Sequence, residues 1–223
     1  MNSRFKCLVI DHDDTSVDST PKINYPCYLS FMREYAPSIP PASLTSFQNY
    51  LFDIGITKYY KDVARLPDHL IKYEAEYWQA YADSHDPPDF FPGFLDVLKH
   101  FKQLGGLVVV VSYCDKNNIA RAYTKAGSFL PDKIFGCDSH NPKLSKPHKE
   151  LLVSIMREFN LRENEIVVID DMSDGFRMAD HFKGITKVGV TYGDGHEDIK
   201  DKMKGMCHFV ATSVKELNDF IFM

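Results

Sequence analysis

No apolar run in this chain is long enough to span a bilayer. The longest, "LVVVV" at 107–111, falls far short of the roughly 20 residues a membrane helix needs. In "MNSRFKCLVIDHDDT" the acids begin after too short an apolar run for a secretory signal, and none is expected. Cysteine is scarce: five, at 7, 27, 114, 137 and 207, an odd count without CxxC or CxxH spacing. Neither a disulfide framework nor a zinc site is expected, and a reducing cytoplasm is the expected setting. Basic residues are outnumbered, 26 against 31, for a net charge of -5 and no basic stripe, which argues against a nucleic-acid partner. A GxxxxGK phosphate loop is absent, so an NTPase of that type is excluded. Internal repeats and low-complexity segments are absent too, and repeat architectures go with them.

What is there is ordinary globular composition, with 44% hydrophobic and 26% charged residues. A length of 223 residues suits one domain with an insertion, or two modest domains. Six short runs read as strands: "FKCLVI", "LVVVV", "KIFG", "EIVVI", "TKVGV" and "HFVA". Most are continuous in Val and Ile rather than alternating, as strands covered on both faces are. Helical stripes separate them. Phe94, Val97, Leu98, Phe101 and Leu104 form one, stopped by Gly105-Gly106; Leu151, Leu152, Ile155, Met156 and Phe159 form another; Val214, Leu217, Phe220 and Ile221 a third. Strand and helix in alternation predict an α/β fold with a doubly wound parallel sheet.

Residues 16–89 break the rhythm. They hold no convincing strand, several helical stretches, and prolines at 37, 40, 41, 67, 87 and 88 that mark joints. Leu70, Tyr73, Tyr77, Trp78 and Tyr81 share one side of a helix, either a wall facing a ligand or, more simply, the stripe of a small bundle. The expected organisation is a core of 1–15 and 90–223 interrupted by a helical cap at 16–89.

In such sheets ligands bind beyond the carboxyl ends of the strands. Asp11 and Asp13 follow "CLVI", Ser112 follows "LVVVV", and Asp170 and Asp171 close "EIVVI". Acids that close repel one another unless a cation or a reaction uses them. A phosphate ester would use them. Asp11 could attack phosphorus only with positive charge nearby, and Mg²⁺ held by Asp11 and the 170–171 pair would supply it. Asp13, two residues on, could give a proton to the leaving group and later take one from water. Ser112 could hydrogen-bond a phosphoryl oxygen. Of Lys143, Lys146 and Lys149 in "NPKLSKPHKELL", Lys146 stands at the start of a helix and is the chosen neutralising charge.

The order "DHDDT", "VVVVS", "SKPHKELL", "VVIDDMSDG" resembles the four motifs of the haloacid dehalogenase superfamily. "FFPGFLDVLKHFKQLGG" is similar to the helix before its second motif, and "KVGVTYG" to the strand and turn after its fourth in phosphoglycolate-phosphatase-like members. The resemblance implies a Mg²⁺-dependent aspartyl-phosphate mechanism on a small phosphorylated metabolite, under a mobile cap. It implies Asp11 as nucleophile and metal ligand, and Asp13 as acid/base whose carbonyl also binds metal. Ser112 and Lys146 are the phosphate-binding pair, and Asp170 and Asp171 the metal acids. An acid at 13 points to phosphatase or phosphomutase rather than dehalogenase chemistry.

Two departures stand out. Position 14 is Asp where the family usually has Gly, which predicts strain if the backbone there is left-handed. Asp174, four residues beyond Asp170, competes with Asp171 as the second metal acid, unless Gly175 opens a helix that Asp174 caps. Asp171 is preferred. A β-phosphoglucomutase-type phosphomutase remains the alternative, although "DIGITKYYKDVARL" lacks the glycine-arginine loop of such enzymes; its Lys58 and Lys61 either reach the substrate's far end or solvate a helix. A catalytically weak binding protein on the same fold is the other. A response-regulator receiver fails on motif order, since its acid pair comes first and its lysine last.

Overall fold

The computed structural model describes residues 3–127, 129–137 and 141–223. Strand β1 (Cys7–Ile10) leads into a tight loop and then a helical insertion. A π-helical turn at Thr20–Asn24 runs into α1 (Tyr25–Tyr35), followed by α2 (Leu44–Ile54), the short α3 (Ile56–Lys58), a second π-helical turn at Tyr59–Val63, and α4 (Asp68–Asp83). The chain returns through α5 (Phe94–Gln103), β2 (Leu107–Val111), α6 (Lys116–Lys125) and β3 (Lys133–Phe135). Then come α7 (Glu150–Glu158), β4 (Ile166–Asp170), α8 (Ser173–Ala179), β5 (Thr186–Val190), α9 (Lys200–Lys204), β6 (Phe209–Ala211) and α10 (Val214–Ile221).

All six strands pair in parallel, in the order β3-β2-β1-β4-β5-β6. Each of the six β-type runs supplies a strand. Alternate residues of β1 serve opposite layers: Leu8 and Ile10 join Phe94, Leu98, Phe101, Leu217 and Ile221, while Cys7 and Val9 join Leu151, Leu152, Ile155 and Met178. Burial on both faces is why the strands read as unbroken apolar runs. Chain order runs outward from β1 in both directions, so the crevice for a ligand opens at the carboxyl ends of β1, β2 and β4.

The insertion forms its own aromatic cluster around Tyr28, Phe31, Phe47, Tyr59 and Tyr60. Tyr28 and Phe47 stack with ring centroids 4.5 Å apart, and the Tyr28 hydroxyl lies 2.6 Å from that of Tyr59. The expected aromatic stripe of α4 is divided. Leu70 and Tyr77 pack on this cluster, Trp78 packs towards the sheet's core, and Tyr73 is exposed. The insertion touches the core through α2: Phe52 packs with Phe176, Ile199 and Met203, and the Ser173 hydroxyl donates to the Phe52 carbonyl at 2.5 Å.

Candidate active site

Strand β1 ends at Ile10, and Asp11 follows with its backbone N–H donating to the Ile169 carbonyl of β4 at 2.9 Å. The chain then turns back at once. Ser16 and Val17 both donate to the His12 carbonyl, and the Ser16 hydroxyl donates to the Asp11 carbonyl at 2.6 Å. This loop sets Asp11 against the last residue of β4, Asp170, and its neighbour Asp171, and leaves Asp13 at the wall of a cleft. Asp11, Asp170 and Asp171 each offer a carboxylate oxygen, and the three atoms lie within 4.8 Å of one another. All three side chains are buried.

Carboxylates this close need compensation. Lys146 supplies part of it: its Nζ donates to Asp11 Oδ1 at 2.7 Å and to Asp170 Oδ2 at 2.9 Å, with all three groups shielded from solvent. Burial alone would lower the lysine's pKa, but Asp11 and Asp170 hold it well above the ordinary value. Asp170 is pushed up by burial and by Asp11 and Asp171, against the pull of Lys146. Lys143 and Lys149 are exposed, so Lys146 is the one of the three that enters the cluster.

Ser112 follows β2 and is buried; its backbone N–H donates to the Phe135 carbonyl, and its hydroxyl accepts from the Cys114 N–H at 3.1 Å. Asp13 keeps partial solvent access at the wall of a cleft. Burial and the neighbouring Asp11 raise its carboxyl to about 7, suiting a group that both gives and takes a proton near neutrality. Asp174 turns elsewhere. Its carboxylate lies 2.8 Å from the Tyr113 hydroxyl and accepts from Arg177 at 3.0 Å, so the geometry groups Asp171, not Asp174, with Asp11. Helix α8 starts at Ser173, with Met172 as its N-cap, so Asp174 sits in the first turn and is not the cap that a helix opening at Gly175 would require. Gly175 has a different task. A Cβ there would lie 2.2 Å from Asp170 Oδ2, so the bare backbone makes room for that carboxylate. Lys58 and Lys61 are exposed and do not line the cleft.

A haloacid dehalogenase-like hydrolase family profile matches residues 5–182. The chain belongs to that family. Solved structures of similar shape include a haloacid dehalogenase-like family protein from Streptococcus pneumoniae (TM-score 0.77, 16% identity, covering 97% of this chain and 98% of that one). A predicted phosphoglycolate phosphatase from Haemophilus somnus gives 0.72 at 20% identity, covering 97% and 98%. A Bacteroides vulgatus protein provisionally titled β-phosphoglucomutase gives 0.69 at 16%, covering 98% and 88%. At these identities the likeness is one of fold. No curated protein matches the chain in sequence.

Within the haloacid dehalogenase-like hydrolases, the departure at position 14 now has a structure. Asp14 has φ 53°, the left-handed region that glycine adopts freely and Asp tolerates better than most. Its buried carboxylate accepts from the Thr20 N–H at 2.8 Å, the Ser19 N–H at 3.2 Å and Gln48 Nε2 at 2.9 Å. Ser19 and Thr20 begin the insertion and Gln48 lies on α2, so a residue of the site loop grips the cap at two places. On the other side stands His196, buried, with Nε2 3.0 Å from Asp171 Oδ2 and Nδ1 3.0 Å from the Gly193 carbonyl. Burial alone would lower its pKa, but Asp171 and Asp14 raise it to about 9, so it is a cation at neutral pH. Asp171, raised to about 6 by burial, is eased by that same imidazolium.

Sequence reasoning missed His196 and Gln48, and gave Gly175 a different task. One signal was present: an extra acid at position 14 of an already acidic loop calls for another cation, and "GDGHED" begins three residues after the fifth strand ends. Thr15 was also passed over; its hydroxyl donates to Asp171 Oδ1 at 3.1 Å, and its carbonyl accepts from Tyr192 at 2.5 Å.

Proposed function

We propose that the protein is a Mg²⁺-dependent phosphatase of small phosphorylated metabolites, acting through a phosphoryl group carried on Asp11. The observation that carries this reading is Lys146 held between Asp11 and Asp170 at the carboxyl edge of the sheet, with Ser112 at the end of the adjoining strand. The reading is also supported by family membership and by likeness to a structure titled as a phosphoglycolate phosphatase.

The residues present fit a magnesium ion. Asp11, Asp170 and Asp171 supply hard oxygen donors within 4.8 Å of one another, and Lys146 and His196 together leave the three carboxylates undercompensated. When bound, the ion would screen the charge between Asp11 and the phosphate and orient the phosphoryl group. The Asp11 carboxylate attacks phosphorus, forming an O–P bond as the bond to the leaving oxygen breaks. Asp13 gives that oxygen its proton. Lys146 and Ser112 hold the phosphoryl oxygens. Asp13 then takes a proton from a water that attacks phosphorus, releasing inorganic phosphate and restoring Asp11.

Turnover of p-nitrophenyl phosphate with magnesium tests this. The wild-type protein should release phosphate, Asp11→Asn should be nearly inert, and acid-quenched wild-type enzyme should carry the mass of one phosphoryl group. Silence of the wild type across a broad panel of phosphate esters would transfer the weight to the binding-protein reading. Interconversion of sugar phosphates without release of inorganic phosphate would point to a mutase.

A further inference from the structure

Lys146 lies in neither helix nor strand, between the turn at Pro142–Leu144 and α7. Its charge sits at the end of a flexible four-carbon stem, whose rotamer freedom must be lost before the ammonium can stay between Asp11 and Asp170. Tyr113 touches this residue at both ends. Its hydroxyl donates to the Lys146 carbonyl at 2.8 Å, at the base of the stem. At the tip, the ammonium nitrogen lies 5.4 Å from the centre of the Tyr113 ring. A cation within about 6 Å of an aromatic centroid is attracted to the ring, more strongly where water is kept away. Tyr113 is 50% exposed and Lys146 only 5%, so the ring forms part of the cover over the ammonium.

The ring is itself braced. The same hydroxyl shares its proton with Asp174 Oδ2, also at 2.8 Å, while Asp174 Oδ1 accepts from Arg177 Nη1 at 3.0 Å. Tyr113 thus spans from the end of β2 to the first turn of α8, crossing the edge of the sheet beside Lys146. Asp174 stands outside the group formed by Asp11, Asp170 and Asp171, and this brace is what its geometry provides. Tyr113 also follows Ser112 directly, so the turn that presents the serine reaches the lysine as well. The two groups assigned to the phosphoryl oxygens are therefore set by one dipeptide.

We infer that Tyr113 is a positioning residue: braced by Asp174, it holds Lys146 at its carbonyl and its ammonium, and so places the charge that meets the phosphoryl oxygens. The inference rests on the phosphatase reading above.

The test is a double-mutant cycle read by kcat on p-nitrophenyl phosphate with magnesium. Tyr113→Phe and Tyr113→Leu are each made in the wild type and in Lys146→Met. Tyr113→Phe keeps the ring and loses the hydroxyl, and should lower kcat about tenfold, the effect of one hydrogen bond. Tyr113→Leu also removes the ring and should lose roughly two- to fivefold more. In Lys146→Met both substitutions should change the rate by less than about twofold, because no ammonium is left to place. A tyrosine that only supports the fold would cost the same factor in either background. That result, or an unmoved kcat in either single variant, overturns the inference. Should Lys146→Met not fold, Lys146→Met with Asp170→Asn serves as the background. If the wild type hydrolyses no ester, the phosphatase reading falls; in that case, or if the lysine variant is too slow to time, unfolding decides. Urea titrations of wild type, Tyr113→Leu, Lys146→Met and the pair should then show a coupling of about fivefold in the folding equilibrium constant, since the ring acts on the ammonium. Coupling upholds the hold on Lys146, and additive changes overturn it.

Discussion

The ammonium of Lys146 reaches across the sheet's edge to two carboxylates at once, Asp11 at 2.7 Å and Asp170 at 2.9 Å, from a loop more than a hundred residues downstream of the first. Removing one partner of a buried ion cluster leaves uncompensated charge, typically about 3–5 kcal/mol. Lys146→Met should therefore lower the thermal midpoint and reduce kcat on the order of a hundredfold or more. Adding Asp170→Asn should restore much of the stability and none of the activity. Differential scanning calorimetry alongside phosphate-release assays separates the two effects; a fully active Lys146→Met would remove the lysine from the chemistry.

Magnesium should stabilise the folded chain even without substrate, because it binds carboxylates that the unfolded chain does not gather. The thermal midpoint should rise with added MgCl₂ and drop back with EDTA. Asp170→Asn and Asp171→Asn should each shrink that response. An Asp174→Asn variant should keep it, since that carboxylate faces Tyr113 and Arg177.

Asp14→Gly tests a trade between strain and bonding. Glycine relieves the left-handed backbone, worth about 1 kcal/mol, but leaves the Thr20 N–H and Gln48 without their acceptor, while the Ser19 N–H keeps the Val17 carbonyl. Each unsatisfied buried donor costs about 1–3 kcal/mol, so the net change should be destabilising. Asp14→Asn, which keeps one acceptor oxygen, should lose less. Urea titrations of the three proteins rank them; a more stable Asp14→Gly would mean that the carboxylate contributes nothing to holding the cap.

Glu74 of α4 offers a pH test remote from the site. Burial raises its carboxyl from 4.5 to about 7, while the Tyr60 hydroxyl at 3.4 Å opposes the rise. Between those two pH values the folded chain keeps a proton that the unfolded chain has lost, so stability falls as pH rises through the window and is lowest above it. Glu74→Gln should remove that slope and gain on the order of 1–2 kcal/mol above about pH 7, after allowance for solvent screening. Unfolding midpoints measured on both sides of the window check it. Parallel curves for wild type and variant would contradict the assignment.

Gly175→Ala should cost activity although alanine is the better helix former. The added methyl would meet Asp170 Oδ2 at 2.2 Å and its Cγ at 2.7 Å, moving the carboxylate off Lys146. A loss of kcat with little loss of helix content by circular dichroism is the expected pattern.

The parts of this architecture that the sequence showed are those where one physical cause dominates. Val108 to Val111 and Ile166 to Ile169 are buried on both sides, so only apolar residues fit, and the run announces a strand. Phe94, Val97, Leu98 and Phe101 repeat at helical spacing because one face of α5 meets the sheet. Asp11, Asp13, Ser112, Asp170 and Asp171 were nameable because strand ends share an edge, and Lys146 because it stands before a helix. His196 and Gln48 were not, for a different reason. Each acts through a single polar contact, His196 on Asp171 and Gln48 on Asp14, and one contact leaves no periodic trace. Trp78 and Tyr77 share a helical face yet serve different clusters, a division set by how α4 lies between two bodies rather than by its own spacing.

The bond from Gln48 to Asp14 has a consequence for how such a molecule admits anything at all. The cap is fastened to the turn that carries Asp11 and Asp13 as well as to α8, so an outward swing of α2 would also break its hold on that turn. An opened cap would leave the Asp14 carboxylate one hydrogen bond short, and closure would restore it.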